Sequence, residues 1–191
     1  VRTLQRVCVF CGSSDGRLPA LHDLAHELGT LLAKQQITLV YGGAQVGLMG
    51  RMADAVLDGG GSVTGVLPGG LFSSEVPHSR LTDLRVVDGM HERKAVMYEL
   101  ADGFIALPGG YGTLDELFEA ATWNTLGLNT PRKPITLLDT VSSDGVGFWD
   151  PLAALLDQFA TVGFVKPANR AMLQRSHSPA DALEQLRTYA F

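Results

Sequence analysis

Residues 103–123 read GFIALPGGYGTLDELFEAATW, and the stretch changes character twice. Phe104, Ile105, Ala106 and Leu107 form an unbroken apolar run of strand length. Such runs are expected where a strand is covered on both faces, as in a parallel sheet. Pro108, Gly109, Gly110 and Gly112 then punctuate the chain, and from Thr113 apolar residues return at helical spacing. Strand, glycine-rich turn and helix in this order place the turn at the carboxyl edge of an α/β sheet. The turn suits a phosphate, because glycines let backbone N–H groups approach it and the helix start adds partial positive charge. Glu116, one helical turn further on, does not suit a phosphate. It has a bland reading: Thr113 and Glu116 match a capping box, with Thr113 at the N-cap and Glu116 at N3.

Outward from this unit, short apolar runs alternate with helix-period stretches. Strands are expected over 7–11, 38–41, 62–67, 84–87, 104–107, 135–138 and 172–175. Helices are expected over 18–34, 48–58, 90–101, 113–126, 148–162 and 179–189. The alternation predicts an α/β fold: a single Rossmann-like doubly wound domain over residues 1–191, with a mostly parallel sheet of about seven strands. No repeat, low-complexity segment or long linker divides it.

Composition narrows the function. The chain has 191 residues, 46% hydrophobic and 18% charged, with a net charge of −5. That balance excludes disorder and, with no long basic run, makes nucleic acid polymers and anionic membranes poor partners. No apolar run approaches the ~20 residues that span a bilayer. The N-terminal VRTLQRVCVFCG lacks a signal-peptide pattern, so a cytoplasmic location is expected. Cys8 and Cys11 form a C-x-x-C, but within a strand residues three apart face opposite sides. The pair therefore reads as buried structural thiols, not a redox couple.

Two further strands end in glycine-rich turns, CGSSDG at 11–16 and YGGAQVGLMG at 41–50. Three such turns on one sheet edge point to a nucleotide-sized anion, with Ser14 and Gly43 as candidate contacts. No turn matches G-x-G-x-x-G, and no acid stands at the end of the second strand to hold an adenosine ribose, so NAD is disfavoured. The P-loop pattern is absent too, and a monophosphate fits better. In DGMHERKAVMYELADG, residues 88–103, Met90, Val96, Met97 and Leu100 form an apolar stripe into which Arg93 falls. Arg93 either snorkels at a rim or is aimed at the carboxyl edge to hold an anion. Lys94 beside it is a second cation or a solvated lysine. His22 and His26 lack a third ligand, so no metal site is expected. The four lysines sit in no hydrophobic pocket motif of a pyridoxal-phosphate enzyme.

These motifs together, CVFCGSS, LVYGGAQVGLMG, MHERKAVM and FIALPGGYGTLDELFEAATW, cover nearly the whole chain. They closely resemble the LOG ("lonely guy") family, cytokinin riboside 5′-monophosphate phosphoribohydrolases often mislabelled as lysine decarboxylases. The resemblance implies hydrolysis of the N-glycosidic bond of an adenine-type nucleoside 5′-monophosphate, N6-substituted or plain, to base and ribose 5-phosphate. It implies a Rossmann-like fold, a homodimer with the active site near the interface, and neither cofactor nor metal. It makes Arg93 and Glu116 catalytic. It makes Glu75, Lys94, Gly109, Gly110, Tyr111, Gly112, Thr113, Leu114, Asp115 and Thr122 substrate contacts. Asp115 departs from the glutamate common there in plant members. Related Rossmann-like proteins carry molybdenum cofactor, so a non-enzymatic nucleotide or cofactor carrier is the alternative.

Overall fold

The computed structural model describes residues 3–71 and 76–190. Along the chain its elements are β1 (Arg6–Phe10), α1 (Pro19–Lys34), β2 (Thr38–Tyr41), α2 (Gly47–Asp58), β3 (Val63–Pro68) and β4 (Asp83–Val87). They continue with α3 (Met90–Leu100), β5 (Gly103–Ala106), α4 (Tyr111–Leu126), β6 (Ile135–Leu138), α5 (Asp150–Thr161), α6 (Pro167–Ala171), β7 (Leu173–Ser176) and α7 (Pro179–Thr188). The strands form one seven-stranded sheet in the order β4-β3-β2-β1-β5-β6-β7, every neighbouring pair parallel. The fold is a Rossmann-like α/β sandwich in which the direction of strand addition reverses between β1 and β5.

Strand composition follows from this order. The interior strands β1, β2, β3, β5 and β6 are buried almost throughout, which is why they read as apolar runs. The edge strand β4 exposes three of its five residues. One core layer joins α1, α2 and α7 to Val7, Val9 and Cys11; the other joins α3, α4 and α5 to Cys8 and Phe10. Cys8 and Cys11 thus lie on opposite faces, both buried as free thiols. Burial raises both thiol pKa values, and the carboxylate of Glu116 adds to the shift. Neither is primed as a nucleophile.

Two differences from the sequence pattern have local causes. Helix α5 begins at Asp150 with Trp149 as its N-cap, whose side chain fills the core and whose amide N–H donates to the Asp139 carboxylate at 2.7 Å. Helix α6, only five residues long, was too short to register as a periodic segment. No described helix is long and apolar enough to cross a membrane.

Candidate active site

The turns after β1, β2 and β5 meet where the strand order reverses, the place where open α/β sheets bind ligands. Their approach is close. Gly47 opens α2 at φ +57°, and a Cβ there would lie 2.4 Å from the Ser13 carbonyl carbon. Gly12 donates its N–H to the Pro108 carbonyl at 3.2 Å, tying the first turn to the third. Between them opens a cleft of about 530 Å³, walled by Cys11–Ser14, α2, α3, residues 108–113, Asp115, Glu116 and Phe148.

The glycine-rich end of the cleft is built from α4. The helix starts at Tyr111 with Gly110 as its N-cap, and no side chain caps it. This corrects the capping-box reading: Thr113 stands at N3 and Glu116 lies beyond the first turn. Pro108 and the two glycines after it end the extended path earlier than the apolar pattern indicates, and Leu114 N–H already bonds to Gly110 O at 3.1 Å. Thr113 is 3% exposed and turned toward Gly109, where a Cβ would sit 2.0 Å from its hydroxyl. Helices α1, α2 and α4 all begin at this edge, and none carries a side-chain cap or an acid in its first turn. Their first-turn N–H groups and dipole ends are left available to an anion. Ser13 and Ser14 line the cleft beside them.

Arg93 enters from the first turn of α3. It is 4% exposed, its Nη2 donates to Gly42 O at 2.9 Å, and its Nη1 contacts Met90 Sδ at 3.6 Å. The guanidinium is therefore no rim arginine. It is fixed on the carboxyl end of β2 and lines the cleft.

Glu116 lines the same cleft and is half-buried. Its helix is set in rotation by contacts on the neighbouring face. Lys94 donates to Asp115 Oδ2 and Glu119 Oε2, both at 3.0 Å. The Tyr98 hydroxyl lies 3.0 Å from both Glu116 O and Glu119 Oε2. Tyr98 packs edge-on against Phe10, Phe104 and Trp123. Burial works against the charge on Lys94, but the two carboxylates outweigh it and hold its pKa above the ordinary lysine value. This contact face, formed by Asp115 and Glu119, leaves Glu116, ~100° around the helix from Asp115, for the cleft. Replacing Lys94 by Met should cost about 1–3 kcal/mol in urea unfolding, because the carboxylates of Asp115 and Glu119 lose their common donor.

Apolar side chains line the cleft as well: Leu21, Leu48, Met49, Met90 and Phe148. Phe148 is held edge-on against Trp149 at 4.8 Å, and Trp149 Nε1 donates to Ala106 O at 3.2 Å. Sequence reasoning missed Phe148. The signal was present in SSDGVGFWD, a further glycine-containing loop after a parallel strand.

The structure thus brings Ser14, Arg93, Gly109, Gly110, Tyr111, Gly112, Thr113, Asp115 and Glu116 to one cleft. Lys94, Leu114, Gly43 and Thr122 are not on its walls. Lys94 lies behind Asp115. Gly43, at φ +83°, gives its carbonyl to His78 N–H at 2.9 Å. Thr122 is exposed about three turns along α4 and bonds to Phe118 O at 2.7 Å. Glu75 lies outside the described residues.

Comparison with known proteins adds to this geometry. A family model described as "Possible lysine decarboxylase" matches residues 49–186. The cytokinin riboside 5′-monophosphate phosphoribohydrolase LOG of Oryza sativa subsp. japonica is 43% identical over 185 residues, 97% of this chain and 74% of its own. An Arabidopsis thaliana enzyme of the same name, LOG7, is 42% identical over 185 residues, 97% of this chain and 82% of its own. Among solved structures, the molybdenum cofactor binding protein of Rippkaea orientalis superposes with a TM-score of 0.71 at 20% identity, covering 98% of each chain. At that identity the likeness shows the fold alone.

Proposed function

The chain belongs to the LOG family of cytokinin riboside 5′-monophosphate phosphoribohydrolases, and on that premise we propose that its cleft hydrolyses the N-glycosidic bond of a purine nucleoside 5′-monophosphate. The observation that carries the reading is the division of the cleft. Uncapped helix starts and glycine N–H groups stand at one end, Arg93 and Glu116 line it, and apolar side chains of α1, α2, α3 and Phe148 share the lining. The 5′-phosphate sits on the Gly109–Thr113 backbone, the ribose spans toward Glu116, and the base packs on Met49, Met90 and Phe148. Breaking the bond from C1′ to the base nitrogen develops oxocarbenium character on the ribose, which the Glu116 carboxylate stabilises. The same carboxylate orients the attacking water and takes up its proton as the oxygen bonds to C1′. The base leaves with the bonding pair and takes a proton on nitrogen from solvent, and the Glu116 carboxyl returns its proton to solvent. Arg93 holds the reacting end of the ribose and the carboxylate in register.

Two other readings fare worse on the same geometry. A pyridoxal-phosphate decarboxylase needs a lysine at the reacting centre, and none of the four lines the cleft. Lys94 is committed to Asp115 and Glu119, while Lys133 donates to the carbonyls of Tyr98 and Glu99 at the end of α3. A cofactor carrier has no use for an arginine and a carboxylate facing the middle of the cleft. In the cell the reading is of a cytoplasmic enzyme acting as a homodimer.

The purified protein should release ribose 5-phosphate and free base from at least one member of a panel of N6-substituted and plain purine 5′-monophosphates. Tight nucleotide binding across the panel without base release would favour the carrier instead.

A further inference from the structure

Arg93 reaches the cleft from α3, but the surface it rests on belongs to the turn after β2. A methyl built on Gly42 would lie 1.9 Å from Arg93 Nη2 and 3.1 Å from Cζ. The guanidinium fills the space in which any other residue carries its Cβ. From the same residue comes the carbonyl that accepts from Nη2 at 2.9 Å. Steric room and hydrogen-bond acceptor are thus supplied by one glycine.

The turn cannot easily retreat to make space. Gly43 at φ +83° is packed so that a Cβ would meet the Leu67 side chain at 2.8 Å, and its carbonyl accepts from His78 N–H. Ala44 pairs antiparallel with Pro77, and Gln45 N–H donates to Val76 O at 3.0 Å. The segment 76–78 is itself pinned. The buried His78 ring bonds through Nε2 to Asp54 Oδ1 at 3.1 Å, and its Nδ1 accepts from Arg80 N–H at 3.2 Å. The Gly42 peptide is therefore clamped from outside by this strap while Arg93 lies against it from inside. The clashing atoms would be the tip of a long side chain, so an added methyl moves Arg93 and not the backbone.

We propose that Gly42 is a positioning residue for the reaction: its bare Cα and its carbonyl form the seat that fixes the Arg93 guanidinium in the cleft. The inference rests on the role given to Arg93 above. Gly42→Ala should lower kcat about 100-fold with little change in KM, the effect of misplacing a reacting group by an ångström. The same change made in Arg93→Ala should cost nothing further, because the group it displaces is already gone. Gly70→Ala, at a glycine with nothing within 4 Å of a built Cβ, should turn over at the wild-type rate.

A second cycle needs no substrate. In urea unfolding Gly42→Ala should destabilise the wild-type background more than the Arg93→Ala background, where the space is free. Wild-type kinetics in Gly42→Ala, or additive losses in both cycles, would overturn the seat. Wild-type protein that cleaves no purine monophosphate would overturn the hydrolase reading, and the unfolding cycle would then decide the seat by itself.

Discussion

Glu116→Gln is expected to lower kcat for base release by about a thousandfold or more, while the nucleotide still binds within a few-fold of wild type. The substitution keeps the shape of the side chain and removes the charge. At a half-buried position beyond the first turn of α4, with no capping role, Gln is tolerated sterically and α4 keeps its start at Gly110. What is lost is a full negative charge where the ribose becomes cationic, and a base for the attacking water. A thousandfold loss corresponds to about 4 kcal/mol of barrier, the scale expected of one preorganised electrostatic group. A product assay for ribose 5-phosphate, paired with calorimetric titration of the substrate, separates the two effects. A variant that retains a third of wild-type kcat would remove Glu116 from the chemistry. One that no longer binds would make it a substrate contact instead.

Much of this arrangement was legible in the sequence because burial leaves a compositional trace. β5 reads as Phe104–Leu107 since both its faces are covered, and the same holds for β2 and β6, whose limits matched residue for residue. The C-x-x-C resolved into two structural thiols through nothing more than strand alternation. What the sequence hid were contacts between elements distant in the chain. Thr113-x-x-Glu116 satisfies the capping pattern, but only the backbone path through Gly109 and Gly110 decides where the helix starts. That path is set by the approach of the first turn to the third, 96 residues apart at Gly12 and Pro108. Arg93 left two readings open for the same reason. Its burial depends on Gly42, 51 residues upstream, and no local pattern marks a glycine as the seat of another helix's side chain. Lys94 was ambiguous until its partners on α4 were seen, and it then emerged as the group that fixes the rotation of that helix.

The rotation matters because the two ends of the cleft must act on one substrate at a fixed separation. Residues Gly109 to Thr113 and Glu116 belong to a single rigid run, about one turn apart, or roughly 5 Å along the helix. An anchored 5′-phosphate therefore presets the distance from the carboxylate to the ribose, so binding energy gained away from the bond orients C1′. On the proposed reading, the acid after the glycine turn acts on the sugar and does not oppose the phosphate.

The anchor can be removed from either side. Gly109→Ala should lower kcat/KM for a purine 5′-monophosphate by about a thousandfold, leaving a slow but measurable cleavage. A Cβ at that position would lie 2.0 Å from Thr113 Oγ1, 2.7 Å from its Cβ and 2.9 Å from the backbone nitrogen of Gly12. Unlike the case of Gly42, the obstruction includes main chain and a short, buried side chain, so the loop itself must shift. The shift opens the cradle and moves α4, displacing Glu116 as well. On the substrate side, wild-type enzyme offered the corresponding nucleoside should lose a comparable factor, since no phosphate engages the N–H groups of the helix start. The decisive measurement is the cross: Gly109→Ala should discriminate far less between nucleoside and monophosphate than wild type does, because its cradle no longer recognises what distinguishes them. A variant that binds and cleaves poorly yet still prefers the monophosphate by the wild-type ratio would place the phosphate elsewhere in the cleft.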